Sequence, residues 1–304
     1  MSELRIPPYL RPGDTIGIVC PAGHMDREKA EQCIATLRNW GYGVRIGKTL
    51  GASWHYFSGT DQERLDDLQQ MLDDPSVHAV LCARGGYGTS RIIDQLDLTR
   101  FNASPKWVIG FSDVTVLHAH LYSVCRTASL HAPMAGAFNN EGWAGPYVAS
   151  LHRALSGGKS SYPAAAHPFN RKGDAEAVLV GGNLSLLVHL SGSVSDVNTD
   201  GVILFLEDIG EYLYHIDRMM IQLLRSGRLD RLAGLIIGGF SQMKDTVVPF
   251  GQTVEELIRD KVAGFTYPVC FGFPVSHEKE NYALKIGVRH RLEVAESGVL
   301  LTER

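Results

Sequence analysis

The stretch WVIGFSDVTVLHAH, residues 107–120, decides how the first half of the chain folds. Apolar residues run into Gly110-Phe111-Ser112-Asp113, and an apolar-periodic segment begins at once. A short buried strand that turns sharply into a helix is a βα unit. The same unit recurs upstream. DTIGIVCPAG (14–23) reads as a strand ending in a Pro/Gly turn, followed by a helical segment from about Asp26 to Trp40 that stops at Gly41. Thr60 and Glu63 give a Thr-x-x-Glu capping box opening a helix through ERLDDLQQML. HAVLCA (78–83) is the next strand, and RGGYGTSRIIDQL (84–96) is a glycine loop predicted to enter another helix.

Strands alternating with helices of this size predict an α/β fold whose N-terminal domain is a parallel, flavodoxin-like sheet. Ligand groups then gather at the carboxyl ends of the strands. From about residue 140 the rhythm loosens, because NNEGWAGPY (139–147) and SGGKSSYPAAAHPFNRKGD (156–174) are rich in Gly, Ser and Pro. The predicted organisation is an N-terminal nucleophile domain over 1–155, a linker over 156–174 and a smaller C-terminal α/β domain over 175–304. AEAVLVGGNLSLLVHLSG, GVILFLEDIGEYLYHIDRMMIQLLRSG, LAGLIIGGF and RHRLEVAESGVLLTE supply that last domain with short strands and two or three helices.

The composition, 44% hydrophobic and 20% charged over 304 residues, is that of a globular protein with a sizeable core. A formal charge of −4 and the absence of any dense Lys/Arg run argue against nucleic acid as a partner. Pro7, Pro8 and Pro12 stand where a secretory signal would need an apolar core, and no long apolar run suggests a membrane span. These features predict a cytoplasmic protein. Cys20, Cys33, Cys82, Cys125 and Cys270 are odd in number and never spaced as Cys-x-x-Cys, so they read as reduced core thiols.

A serine on a tight strand-to-helix turn has its hydroxyl lifted above the sheet edge, where the N–H groups of the helix start can stabilise an oxyanion. Ser112 fits that description, although Val114 replaces the second glycine of Gly-x-Ser-x-Gly, and the same position suits an ordinary helix cap. A nucleophilic serine needs a base, and the base needs an orienting acid. Val202 to Leu206 deliver Glu207-Asp208 at a strand end, and His277 lies in the polar loop after VCFGFP. Gly85, Gly86 and Gly88 permit close backbone approach to a ligand and could give the other half of an oxyanion hole; a tight βα turn would use the same glycines. No metal site is expected: His118 and His120 face different sides of their helix, and no His-Glu-x-x-His is present.

In this order ARGGYG, GFSD, GGNL, LEDI with HIDRM, and GFPVSHEKEN resemble the LD-carboxypeptidase family of serine peptidases. The resemblance covers essentially the whole chain. It implies Ser112 as nucleophile, Glu207 and His277 as its partners, an oxyanion hole from backbone N–H groups near Gly86 and Asp113, no metal or cofactor, and a homodimer. A carboxypeptidase must hold a terminal carboxylate, for which Arg84 and Arg218 are the candidates; a helix-surface ion pair is the other reading of Arg218. The implied substrate is a murein tetrapeptide that loses its terminal D-alanine, or else a microcin C7-type peptidyl nucleotide. A noncatalytic ligand-binding α/β protein, with Ser112 only a cap, is the alternative from another class. Under the triad reading the nucleophile comes from the first domain and its partners from the second.

Overall fold

The computed structural model describes residues 4–142 and 145–304; Trp143 and Ala144 of NNEGWAGPY lie outside the described residues. Its strands are β1 (Thr15–Val19), β2 (Gly43–Ile46), β3 (Ala79–Cys82), β4 (Trp107–Gly110), β5 (Ser129–His131), β6 (Ser161–Ala164), β7 (Gly173–Asn183), β8 (Ile203–Ile209), β9 (Gly234–Ser241), β10 (Val269–Phe271), β11 (Leu284–Ile286), β12 (Arg289–Val294) and β13 (Val299–Glu303). They form two sheets, one in each of two compact units. The first unit runs to Gly158 and takes back Tyr282–Gly287; the second comprises Lys159–Asn281 and Val288–Arg304.

In the first unit the order is β11-β5-β4-β3-β1-β2, with β1 to β5 paired in parallel and only β11 antiparallel. The run β2-β1-β3-β4-β5 is the flavodoxin-like order, which reverses direction between β1 and β3. Ile16, Ile18, Val80, Leu81, Val108 and Ile109 are all buried, as strands covered on both faces require. Helices Glu31–Asn39, Asp61–Asp73 and Thr115–Ser123 belong to this unit. The capping box is made in full: Glu63 N donates to Thr60 Oγ1 (3.2 Å) and Thr60 N to Glu63 Oε2 (2.8 Å).

The helix expected within RGGYGTSRIIDQL is absent. Two tight 3-10 turns, Thr89–Arg91 and Ile93–Gln95, stand there instead, before a five-residue helix Thr99–Ala103. Thr89 N donates to the buried Asp113 Oδ2 (2.8 Å), and the consecutive β-branched Ile92 and Ile93 are both buried. These anchors, with the low helix propensity of paired isoleucines, favour the tighter turns.

The second unit has the order β10-β9-β8-β7-β12-β13-β6. Strands β7 to β10 are parallel, while β12, β13 and β6 extend the sheet in antiparallel sense. Its helices are Leu184–His189, Leu213–Arg225 and Val254–Val262. Residues 156–174, expected as a linker, contain β6. Its Pro163 lacks the N–H that a central strand needs, but β6 is an edge strand, where proline is tolerated. The return of Tyr282–Gly287 to the first unit was likewise not expected, since three-residue β11 is too short to carry a pattern. Among the described residues no helix is long and apolar enough to cross a membrane, and all five cysteines are free and buried.

Arg64 ties together the loops at the carboxyl edge of the first sheet. Fully buried, it donates from Nη1 to Pro21 O after β1 (2.5 Å) and Gly88 O after β3 (3.0 Å), and from Nη2 to Asp61. Gly88 O keeps a second donor in Arg91 N (3.1 Å), but Pro21 O and Gly59 O, which accepts from Arg64 Nε (3.3 Å), lose theirs when Arg64 is replaced, at a cost of ~1–3 kcal/mol each. Arg64→Leu should therefore lower stability by roughly 3 kcal/mol, read as a fall in the midpoint of urea unfolding.

Candidate active site

Ser112 follows β4 at φ +63°, one of four described non-glycine residues with positive φ, and it is half-buried. Such a conformation costs free energy for a residue with a Cβ, and it persists only where its surroundings over-determine it. Those surroundings are visible. Gly110 O, just before the turn, accepts from His118 Nε2 (2.8 Å), whose Nδ1 lies 2.9 Å from Ser129 Oγ. Burial pulls the His118 pKa down to about 4, so the ring is neutral and acts here as a hydrogen-bonding strut. Ser112 caps no helix: the N-cap positions of the 3-10 turn and of the following helix are Phe111 and Val114.

The glycine loop lies directly against this turn. A Cβ at Gly85 would stand 2.8 Å from Ser112 Cβ, 3.0 Å from its Oγ and 3.2 Å from Asp113 N, so no side chain fits there. Gly85 O accepts from Gly23 N (3.1 Å), joining the loops after β1 and β3, and Asp113 is the residue that grips Thr89 N. Gly86 is exposed, and its N–H has no acceptor among the described residues. Ser112, Gly85-Gly86 and Asp113 are thus brought together at the carboxyl ends of β3 and β4, one strand from the reversal of strand order, on the edge where such sheets gather their ligands. Arg84 is exposed on the same loop, donating from Nη1 to His24 O.

In the second unit Glu207 Oε2 lies 2.6 Å from His277 Nδ1, with Glu207 fully buried. Consecutive strand residues face opposite ways, and Glu207 and Asp208 are both buried because β8 is covered on both faces from Ile203 to Asp208. The register of β8 against β9 shifts between Leu206 and Asp208, and a bulge of this kind re-aims side chains. Asp208 is taken up by structure: it accepts from Asn183 Nδ2 (2.8 Å), Ser185 N (2.9 Å) and Ile209 N (2.8 Å). Burial, with the neighbouring charge of Glu207, raises its pKa to about 6 against those hydrogen bonds.

His277 reaches Glu207 because β9 carries Gly238 and Gly239. A Cβ at Gly238 would stand 2.2 Å from Val275 O, and one at Gly239 would stand 2.5 Å from Ser276 Cβ, so the loop after β10 can cross only over glycine. Ser276 Oγ then pins the loop, accepting from Glu278 N (3.0 Å) and donating to Glu280 O (2.9 Å). These residues escaped the sequence reading; the paired glycines inside an apolar strand were the available signal. Burial works against the His277 imidazolium, but the hydrogen bond and charge of Glu207, then Asp208 and Glu278, outweigh it and hold the pKa above its ordinary value. Arg218 is exposed on the helix Leu213–Arg225, its guanidinium 5.3 Å from the Tyr214 ring centre, and makes no ion pair among the described residues. Among the described residues no three His, Cys, Asp or Glu side chains are grouped so as to hold a metal ion.

A strained serine beside a glycine loop and a buried carboxylate paired with an imidazole are the parts from which serine hydrolases are built. Family models described as the LD-carboxypeptidase N-terminal domain and the LD-carboxypeptidase C-terminal domain match residues 16–132 and 176–292. The chain belongs to the LD-carboxypeptidase family and is a serine-type peptidase. It is 33% identical to a probable murein peptide carboxypeptidase of Bacillus subtilis, over 97% of this chain and 93% of that one. To the murein tetrapeptide carboxypeptidase of Pseudomonas aeruginosa it is 30% identical, over 91% and 92%. The crystal structure of muramoyltetrapeptide carboxypeptidase from Oxalobacter formigenes superposes with a TM-score of 0.85 at 28% identity, covering 95% of this chain and 98% of that one.

Because Glu207 is the main force raising the His277 pKa, Glu207→Gln should lower it while leaving an acceptor for Nδ1–H. An NMR titration of the imidazole should show the midpoint moving to lower pH; an unmoved midpoint would mean that the carboxylate charge does not reach the ring.

Proposed function

We propose that the protein releases the terminal D-alanine from L,D-linked murein tetrapeptides in cell-wall recycling, acting in the cytoplasm as a homodimer. The observation that carries the reading is the 2.6 Å contact between buried Glu207 and partly buried His277, in a chain similar over nearly its whole length to murein peptide carboxypeptidases. Ser112 is the nucleophile. His277, with Nδ1–H donated to Glu207, has Nε2 as the base that takes the Ser112 proton while Oγ attacks the carbonyl before the terminal residue. The resulting imidazolium is stabilised by Glu207 and returns its proton to the departing amine. Water then repeats the sequence on the acyl-enzyme and frees the tripeptide.

The tetrahedral oxyanion is held by the N–H groups of Gly86 and Asp113; losing one such donor costs about 10²–10³ in turnover in enzymes of this kind. Arg84, beside Gly85, is better placed than Arg218 to meet the terminal carboxylate, because its loop already touches Ser112. The identity to murein enzymes favours this substrate over a peptidyl nucleotide.

Ser112→Ala and His277→Ala should each lower kcat by at least ~10⁴, and by similar amounts, since residues that act as one unit are not additive. Incubation with murein tetrapeptide should free D-alanine, unaffected by EDTA. Its all-L isomer should be cut far more slowly, because inverting the terminal centre displaces either the carboxylate or the carbonyl. Activity needs neutral His277, whose pKa is raised, so kcat/KM should climb with pH through a midpoint above the ordinary histidine value of about 6.5. Equal rates on both isomers, or near-normal turnover by Ser112→Ala, would remove the assignment.

A further inference from the structure

Trp54-His55-Tyr56-Phe57 form a tight hairpin turn in the first unit. Trp54 N donates to Phe57 O (2.8 Å), Phe57 N donates to Trp54 O (3.0 Å), and His55 sits at φ +55°. The turn is stitched to the loop after β1 through His24 N to Tyr56 O (3.1 Å) and Ser58 N to Ala22 O (3.2 Å). Beneath it, the Phe57 ring has the guanidinium carbons of Arg64 and Arg91 at 4.8 and 5.5 Å from its centre. Both arginines bond to Asp61, Arg91 with Nε at 2.9 Å and Nη2 at 2.7 Å. Tyr87, next in sequence to Gly86, packs 6.0 Å from Phe57.

This rigid base holds three large rings in water: Trp54, Tyr56 and Tyr87 are 43%, 50% and 49% exposed. Isolated exposed aromatics need no explanation, but two on one immobilised turn, with Tyr87 of the adjoining glycine loop against the turn's Phe57, form a prepared contact surface, because the ordering cost of binding is already met. The surface is also continuous with the candidate active site: a Cβ at Gly86 would stand 2.5 Å from the Tyr56 hydroxyl oxygen. Since Arg64 and Arg91 are committed to Asp61, the shelf offers ring faces and a phenol edge rather than charge. A ligand with apolar ring faces and hydroxyl edges, a pyranose, matches that chemistry.

We propose that Trp54, Tyr56 and Tyr87 form a sugar-stacking subsite that receives an N-acetylmuramoyl ring at the amino end of the peptide, so that sugar-linked peptide is the preferred substrate. This rests on Ser112 being the nucleophile of a murein tetrapeptide carboxypeptidase. Three residues separate the scissile bond of such a substrate from its sugar, at most roughly 10 Å of extended chain. The shelf begins one tyrosine side chain from Gly86.

The test compares kcat/KM on N-acetylmuramoyl-tetrapeptide and on free tetrapeptide, for the wild type and for the Trp54→Ala, Tyr87→Ala double variant. The ratio of the two values should fall about tenfold in the variant, equivalent to about 1.4 kcal/mol. An unchanged ratio overturns the subsite, whereas failure of the wild type to cleave either substrate overturns the reaction instead. In that second case the probe is N-acetylmuramoyl-dipeptide, which lacks the scissile bond. Quenching of tryptophan fluorescence that disappears in Trp54→Phe supports the subsite, and absence of quenching overturns it. Sedimentation that shows the double variant dissociating a wild-type dimer would make the rings a subunit contact and overturn the proposal.

Discussion

A buried carboxylate must find a partner, and the second unit is organised around giving Glu207 one. An ionised carboxylate with no exposure would cost several kcal/mol unpaired, so the 2.6 Å contact with His277 is a condition of its being there. Three local irregularities serve that contact: the register shift in β8, the two glycines in β9 and the Ser276 turn. None improves the sheet as a sheet. Their common effect is to bring a loop from beyond β10 across β9 to a side chain on β8.

The first unit uses the same device. Gly85 lets one main chain lie on Ser112, much as Gly238 and Gly239 let another lie on β9. In both units parallel strands supply the rigid floor, and close backbone approach at their carboxyl edge supplies the precision. Ser112 keeps its positive φ because neighbouring groups hold both sides of it: His118 on the carbonyl of Gly110, and Asp113 on the N–H of Thr89. Strain of this sort, tolerated at a single serine, is what function asks of a turn that capping does not need.

Much of this was legible from residue order alone. The βα rhythm through WVIG, HAVLCA and IGIVC led directly to the parallel sheet, because continuous apolar runs bounded by glycine have few other solutions. The Thr60–Glu63 box was equally plain. What escaped was tertiary in origin. The turns at Thr89–Arg91 and Ile93–Gln95 replace a helix because Asp113, far along the chain, takes the Thr89 N–H. Strand β6 hides in a Gly/Ser/Pro-rich stretch because its partner β13 lies more than a hundred residues later. Ser112, Glu207 and His277 were nameable as candidates, and the Glu207–His277 contact now has a distance; of the struts behind them, Gly238-Gly239 inside an apolar strand left a trace in the sequence, whereas His118 and Ser276 had no local pattern to reveal them.

The central claim is that Ser112 is a nucleophile activated by His277. A fluorophosphonate probe followed by peptide mapping tests it most directly, because the reagent reports an activated serine without any assumption about substrate. The account predicts a single adduct on Ser112, formed much more slowly in His277→Ala. An unlabelled protein, or an adduct on another serine with Ser112 unmodified, would contradict it.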